Sequence, residues 1–189
     1  MKAREKIRAP VLAAGGIVVR DAAMPLIAIV QLRKDKAWVL PKGKLKPKEE
    51  ALAAAEREVL EETGHKVRVH EFLGAMSHAD GSKLKIVQFW RMHAAGGPMR
   101  PLMRDVKAVQ WLPLAQAIKT LTHAHERAFL ANVGPIALEA AARSAHEAGV
   151  DAAEPSPQTG AGARPADASL VDTFRAWLRR LVPGSARAR

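Results

Sequence analysis

Short apolar runs separated by turn residues dominate the first two-thirds of this 189-residue chain. Runs of this length that are rich in Val, Ile, Trp and Phe are typical of buried or half-buried strands. The pattern predicts six strands, at Val11–Arg20, Leu26–Arg33, Ala37–Leu40, Lys66–Gly74, Lys83–His93 and Val106–Leu112. Together with the helices described next, this order indicates a mixed α/β fold.

Helical patterns occur between the third and fourth predicted strands and again after the last strand. The first predicted helix runs from about Glu49 to Thr63 and ends at Gly64, because glycine readily adopts the left-handed conformation that closes a helix. Two further helical segments are predicted at 113–121 and 123–149, with a break at Gly134 and Pro135. The break is expected because proline lacks the N–H that a helix interior uses.

The composition changes after Gly149. Residues 150–168 are mainly Pro, Gly, Ala and Ser, and they have too little apolar surface to offset the entropy of ordering. Residues 169–189 place apolar side chains on one helical face and arginines elsewhere around the cylinder. We therefore expect one domain at 1–149, a flexible linker at 150–168 and a basic amphipathic C-terminal helix and tail at 169–189. This helix can dock on the domain, on a second subunit in a homodimer, on another partner or on a membrane surface.

The charge balance favours an anionic partner. The chain has 30 Lys and Arg against 19 Asp and Glu, a formal net charge of +11. A nucleotide, a polyphosphate, nucleic acid or a membrane surface would all suit this excess. The absence of cysteine excludes disulfides, thiolate metal sites and cysteine nucleophiles. No apolar segment approaches the roughly 18 to 20 residues that span a bilayer, so we expect a cytoplasmic protein without a transmembrane segment.

Three glutamates on the first predicted helix carry the strongest chemical signal. Glu58, Glu61 and Glu62 stand at i, i+3 and i+4, so they share one helical face. Like charges at this spacing repel one another, and a cation is therefore expected beside them. Arg57, four residues before Glu61, can supply one positive charge. A hard divalent ion is the other natural partner, since Mg²⁺ prefers oxygen ligands; an ordinary solvated acidic face is the alternative.

A run of lysines precedes this helix and weakens that alternative. The run consists of Lys42, Lys44, Lys46 and Lys48, which we place in a turn and a basic loop. Ammonium groups suit anionic oxygens. A metal ion held by the glutamates would then bridge to substrate phosphates, with the lysines holding further phosphates.

The spacing of these residues resembles the Nudix box. Five residues separate Gly43 from Glu49, and seven separate Glu49 from Arg57. The matching positions are Gly43, Glu49, Arg57, Glu58, Glu61, Glu62 and Gly64. His65 departs from the aliphatic residue that is usual in the family. The resemblance covers roughly residues 11–133, is strongest to MutT-like and dinucleoside polyphosphate hydrolase-like proteins, and implies a Nudix-type α/β/α sandwich with a mixed β-sheet.

The resemblance also implies a role for each matching residue. The implied metal ligands for Mg²⁺ or Mn²⁺ are Glu58, Glu61, Glu62 and a backbone carbonyl near Lys42. Arg57 and Glu49 would support and orient these ligands, with Gly43 and Gly64 as supporting positions. Lys42, Lys44 and Lys46 are the candidate phosphate-binding residues. The general base is left open between Glu61, Glu62 and Asp105 in the loop before the last strand.

The implied reaction is the attack of water on a phosphorus of a nucleoside diphosphate linked to another group. The lysine-rich segment favours long phosphate chains, such as those of dinucleoside polyphosphates. Enzymatic alternatives are an 8-oxo-dGTP-sanitising hydrolase, a diphosphoinositol polyphosphate hydrolase and an RNA 5′-pyrophosphohydrolase. From a different class, a basic nucleic-acid-binding protein that has lost catalysis is also consistent with the charge, although the intact carboxylate set argues against it.

Aromatic residues and histidines outside this pattern favour structural roles. Trp38, Trp90 and Trp111 lie in predicted strands, where core packing is the default, although one of them or Phe89 could stack on a base. His78 and Asp80 are placed in a loop facing the glutamates, where they could touch substrate. His123 and His125 would point about 200° apart on a helix, so surface or packing roles are favoured over a shared metal ion.

Overall fold

A computed structural model describes residues 9–81 and 83–151 of the chain. Its elements in chain order are β1 (Val11–Arg20), β2 (Leu26–Leu32), β3 (Trp38–Val39), β4 (Lys42–Lys44), α1 (Ala51–Thr63), β5 (Val67–Asp80), β6 (Lys83–Ala94), β7 (Val106–Leu112), α2 (Leu114–Thr120) and α3 (Ala124–Asp151). The predicted C-terminal amphipathic helix and the predicted linker beyond Asp151 lie outside the described residues. Within the described ranges, no helix is both long and apolar enough to cross a membrane.

The strands form one mixed sheet, which confirms the predicted α/β class. Its order is β3-β2-β1-β6-β5, with β4 added to β1 and β7 added to β2. β1 and β6 run parallel, from Val11 opposite Lys85 to Val19 opposite His93. The other strand pairs are antiparallel. The central strand β1 is apolar over most of its length and is buried by its neighbours.

Helix α1 packs on this sheet and ends at Gly64, as predicted. Gly64 has φ 77°, and its N–H donates to Leu60 O at 3.0 Å. The side chains of α1 that join the core are Ala54, Ala55 and Val59, which pack with Ala14 and Val18 of β1. Because small residues face each other on the two elements, the helix lies close to the sheet. This contact fixes the rotation of α1 and therefore the direction of its acidic face.

Two predictions about loops were wrong. The Lys42–Lys44 segment, predicted as part of a turn and a basic loop, forms β4 and pairs with Ala13, Ala14 and Gly15 of β1. Its Lys-Gly-Lys sequence has no apolar alternation, so the pairing depends on its neighbour and not on local propensity. His78 and Asp80 lie in β5 and not in a loop, because the pairing of β5 with β6 continues to Asp80 opposite Lys83.

The predicted helix break at Gly134 and Pro135 was also wrong. Helix α3 runs from Ala124 to Asp151 with Pro135 inside it. Proline removes one helical hydrogen bond, and the many alanines around it favour helix on both sides. Backbone contacts divide the chain after Ala137. The first unit contains all the described strands, α1, α2 and the beginning of α3, and the described part of the second is residues 138–151 of α3.

Candidate functional site

The acidic face of α1 lines a cleft of about 620 Å³. Glu58, Glu61 and Glu62 all reach this cleft, as their helical spacing predicts. The other charged residues that line it include Lys42, Lys44, Lys46, Lys85, Arg57 and Asp105. The structure therefore brings the predicted carboxylates and the predicted lysines to one cavity.

Arg57 connects two of these carboxylates to Glu49. Its Nη1 donates to Glu58 Oε1 at 2.6 Å and to Glu61 Oε2 at 3.1 Å. Its Nε and Nη2 donate to the two oxygens of Glu49 at 2.7 and 2.9 Å, and Nη2 also donates to Lys44 O at 3.2 Å. The bond to Arg57 lowers the pKa of Glu49 to about 2. The Arg57 guanidinium keeps its positive charge, and its hydrogen bonds orient the three carboxylates around it.

Glu62 is the most buried of the three glutamates, with 6% of the residue exposed. Its Oε2 accepts a hydrogen bond from Lys42 N–H at 2.8 Å. Removal from water raises the pKa of Glu62 to about 8, the Lys42 N–H opposes this rise, and the charges of Glu58 and Asp105 add to it. A cation in the cleft would lower this pKa, because positive charge favours the ionised carboxylate.

Gly43 is required by the position of Glu58. A Cβ atom built on Gly43 would overlap the Glu58 carboxylate. Strand β4 and helix α1 therefore approach so closely that only glycine fits between backbone and carboxylate. The first glycine of the sequence pattern has a steric role, since it lets the Glu58 carboxylate lie against β4.

The cleft lysines have different surroundings. Lys44 and Lys46 line the cleft, and their phosphate-binding role remains a prediction. The Lys42 ammonium instead lies 2.7 Å from Glu126 Oε1 of α3, and its side chain is only 9% exposed. Lys85 of β6 also lines the cleft and was not among the predicted site residues. Its strand shows no local pattern that distinguishes this lysine from an ordinary exposed one.

Asp105 reaches the cleft from the segment before β7. Its backbone carbonyl accepts a hydrogen bond from Arg33 N–H at 2.7 Å. Met103 N–H in the same segment donates to Glu61 O at the end of α1, at 3.2 Å. These two bonds attach the segment to the residue that follows β2 and to α1, and Asp105 lines the same cavity as the glutamates. Its role as a general base remains a prediction.

No aromatic residue in the described part of the chain lines the cleft. Trp90 and Trp111 pack against the main core cluster, and Phe89 is fully buried. These positions agree with the packing role expected for Trp90 and Trp111. Recognition of a base by one of these rings stays a prediction.

The histidines near α3 form a stack. His123 precedes α3, so the helical geometry assumed for His123 and His125 was wrong. Their ring centroids lie 5.3 Å apart at 10°, and the His125 ring stacks on His78 of β5 at 4.1 Å and 14°. Burial lowers the pKa of His125, and the neighbouring His78 lowers it further. The stack is a packing contact, one of the two roles, surface or packing, that were favoured for His123 and His125.

The cleft glutamates fit a hard divalent cation by their chemistry. One oxygen each of Glu58, Glu61 and Glu62 accepts a bond from a protein donor. An all-oxygen set of carboxylates suits Mg²⁺ or Mn²⁺. Across residues 9–81 and 83–151, no three acidic or histidine side chains are already gathered as a metal site.

Comparison with known families is consistent with this arrangement of residues. The family model described as the NUDIX domain matches residues 10–133. The chain belongs to the NUDIX domain family. All the glutamates, lysines and glycines of the cleft described above lie inside this match, as does Glu126.

Two relatives of this Nudix chain come from mycobacteria. An 8-oxo-(d)GTP phosphatase of Mycolicibacterium smegmatis is 32% identical over 136 residues, which cover 67% of this chain and 42% of that protein. A MutT4 protein of Mycobacterium tuberculosis is 35% identical over 125 residues, which cover 60% of this chain and 50% of that protein. The chain therefore spans about half the length of the relatives it matches.

Solved Nudix structures resemble this chain over most of their own length. A C. elegans Ap4A hydrolase in a binary complex has a TM-score of 0.59 at 26% identity, covering 64% of this chain and 92% of that chain. A MutT protein from Methanosarcina mazei Go1 has a TM-score of 0.59 at 19% identity, covering 66% and 94%. The second likeness shows the fold alone.

Proposed function

We propose that this Nudix protein is a divalent-metal-dependent pyrophosphohydrolase that acts on a nucleoside diphosphate linked to another group, with dinucleoside polyphosphates as the favoured substrates. The observation that carries the proposal is that three glutamates of α1 share one cleft with Lys44, Lys46 and Lys85. Carboxylates suit a metal ion, and ammonium groups suit a phosphate chain. The likeness to a C. elegans Ap4A hydrolase supports this substrate class.

The cleft residues would divide the chemistry between them. When bound, Mg²⁺ or Mn²⁺ would polarise a phosphoryl oxygen and lower the pKa of the attacking water. Glu58, Glu61 and Glu62 would hold the ion, and Arg57 would keep the first two of them oriented. As the water oxygen bonds to phosphorus, one carboxylate, from Glu61, Glu62 or Asp105, would accept its proton. The bridging P–O bond breaks, and the leaving phosphate keeps the electron pair beside the lysines.

A second candidate is the hydrolysis of oxidised nucleoside triphosphates. The likeness to an 8-oxo-(d)GTP phosphatase favours it, although this chain spans only 42% of that relative. The two candidates share the phosphoanhydride chemistry and differ in the group attached to the diphosphate. We propose the cytoplasm as the location for either reaction, since a cysteine-free chain suits a reducing compartment.

A competition assay separates the two candidates. The purified full chain is given Mg²⁺, and in parallel Mn²⁺, with diadenosine tetraphosphate and 8-oxo-dGTP at equal concentration. Products are separated chromatographically, and ¹⁸O-labelled water identifies the phosphorus that is attacked. We expect faster hydrolysis of diadenosine tetraphosphate, and the reverse ratio would select the second candidate.

Two variants complete the assay. Glu62→Gln removes a proposed metal ligand and should abolish turnover, whereas Glu139→Gln changes a surface residue of α3 whose side chain is 61% exposed and should leave the rate unchanged. Release of no product from either nucleotide, or an unaltered rate in Glu62→Gln, would reject the proposed function.

A further inference from the structure

Glu126 of α3 is a buried carboxylate that lies outside α1, the helix of the proposed metal ligands. Its side chain is 1% exposed. Glu126 Oε2 accepts a hydrogen bond from Leu40 N–H at 2.9 Å, and Oε1 lies 2.7 Å from Lys42 Nζ. A carboxylate removed from water needs such partners to offset its lost hydration. Both partners belong to the three-residue segment 40–42, which begins directly after β3 and ends at the first residue of β4.

Strand β1 holds the same segment by a different contact. Pro41 O accepts a hydrogen bond from Gly16 N–H at 3.1 Å. A Cβ atom on Gly15 would overlap Pro41 O and would lie 2.6 Å from Lys42 Cβ, so the two backbones are in direct contact. The segment is therefore confined by β1 as well as by α3.

Thr122, two residues before α3, makes a further contact with β3. Together, Thr122 and Glu126 form a clamp on residues 38–42. Trp38 N–H donates to Thr122 Oγ1 at 2.9 Å, and Thr122 N–H donates to Trp38 O at 2.9 Å. Thr122 and Glu126 thus contact residues 38, 40 and 42, which are every second residue of an extended chain. Glu126 makes the contacts with Leu40 and Lys42, and Lys42 lines the cleft.

The segment 40–42 ends at a donor that belongs to the proposed metal site. Lys42 N–H donates to Glu62 Oε2 at 2.8 Å. Helix α1 fixes the backbone of Glu62, so the direction of its carboxylate depends on where the Lys42 N–H lies. Glu126 itself is not among the residues that line the cleft, and its contact with Lys42 connects it to Glu62.

We propose that Glu126 is a positioning residue of the Nudix site. By holding Leu40 and Lys42, it aims the Lys42 N–H at Glu62 and fixes the orientation in which Glu62 meets a divalent cation. The Lys42 ammonium serves this clamp and does not hold phosphate. The inference rests on the metal-binding part of the proposed function, because only there is Glu62 a metal ligand.

The test measures Mn²⁺ binding to the full chain by titration calorimetry, together with the melting temperature and steady-state kinetics. Glu126→Gln keeps an acceptor for Leu40 N–H and removes the charge that holds Lys42. We expect Mn²⁺ affinity and kcat each to fall about 10- to 100-fold, the usual range when a residue that orients a metal ligand is lost. The KM for the nucleotide should stay within about twofold, since the substrate contacts remain.

Thr122→Val is the matched control, because it breaks the same clamp at its far end. It removes the acceptor for Trp38 N–H, four residues from Lys42, and leaves Glu126 in place. We expect a lower melting temperature with unchanged Mn²⁺ affinity. If Glu126→Gln does not fold, the neutral pair Lys42→Met with Glu126→Gln carries the test, since it leaves no buried charge unpaired. This double variant should fold and still bind Mn²⁺ weakly.

Wild-type Mn²⁺ affinity in folded Glu126→Gln, or in the folded double variant, would overturn the proposal. An equal loss in Thr122→Val would also overturn it, because general loosening would then explain the effect. A failure of the proposed function gives a different result. The wild-type chain would then hydrolyse none of the nucleotides. The Glu126→Gln variant would nevertheless bind Mn²⁺ more weakly than the wild-type chain.

Discussion

The carboxylates around Arg57 and the carboxylate of Glu126 meet their cations in different surroundings. Beside Arg57, the side chains of Glu49, Glu58 and Glu61 are 15, 12 and 22% exposed. In the Lys42–Glu126 pair, the two side chains are 9 and 1% exposed. The more an ion pair is exposed to water, the less it contributes, whereas breaking a buried pair is costly. We therefore expect the carboxylates around Arg57, the adjustable group, to be the ones that turn toward a bound metal ion, and the Lys42–Glu126 pair to hold the backbone beside them.

The largest loss of hydrolysis is expected when Glu58, one of the carboxylates around Arg57, is made neutral. Glu58→Gln keeps the shape of the side chain and removes a proposed metal ligand, so hydrolysis should fall by more than about 100-fold, beyond the usual loss for a residue that only orients a ligand. Initial rates at saturating Mg²⁺ would measure this. Glu56→Gln, an exposed position on the same helix, is the control. A similar loss in both variants would contradict the assignment.

A smaller loss of hydrolysis is expected when the Arg57 guanidinium is replaced by an ammonium group. Arg57→Lys keeps the charge and loses the planar fork that bonds Glu49, Glu58 and Glu61, so the rate should fall about 10- to 100-fold. The kinetics of Arg57→Lys are compared with those of Arg143→Lys, whose arginine is 62% exposed and pairs with Glu139. A wild-type rate in Arg57→Lys would mean that a positive charge at residue 57 is sufficient and that the planar fork is not needed.

The close approach of β4 to α1 can be tested with a single methyl group. Gly43→Ala forces a Cβ into the Glu58 carboxylate, which should lower the free energy of unfolding by about 1–3 kcal/mol and weaken Mn²⁺ binding by about tenfold as the carboxylate moves away. Urea unfolding and calorimetry give the two values. Gly97→Ala, where an added Cβ meets nothing within 4 Å, should change neither.

The smallest expected effect concerns acid stability. The pKa of Glu49 falls from 4.5 to about 2 in the folded chain, so its bond to Arg57 adds stability that is fully present above pH 4.5 and is lost as the pH falls toward 2. Wild type should therefore be more stable than Glu49→Gln at pH 6, and this gap should narrow at pH 3. Urea unfolding at both pH values checks this, and a gap independent of pH would show that Glu49 is not the titrating group.

The sequence predicts elements best where local signals decide them. β1 and β7 have the predicted bounds because their apolar runs are bounded by turn residues, and α1 ends where Gly64 takes a left-handed conformation. β4 was missed because Lys-Gly-Lys becomes a strand only by pairing with β1. The same reason applies to the end of β5, which the partner strand β6 extends to Asp80.

The residues of the candidate site also fall into those that local spacing predicts and those that it does not. Glu58, Glu61 and Glu62 come from one helix, so their spacing alone places them in one cleft. Lys85 and Glu126 come from elements far away in sequence, and only the packed structure brings them near Lys42 and the glutamates. The partner of the Lys42 ammonium was likewise not predictable, since no local pattern links residue 42 to residue 126.

The parallel pairing of β1 with β6 has a consequence for how the chain folds during synthesis. Each of the nine paired positions joins residues 74 apart in sequence, from Val11 with Lys85 to Val19 with His93. Contacts of such separation form slowly, because a long loop must close before they contribute stability. A nascent chain that has emerged only as far as α1 already holds the acidic helix, Lys42, Lys44 and Lys46, but it lacks Lys85 and the parallel partner of β1. We expect metal-binding competence to appear only after β6 has left the ribosome.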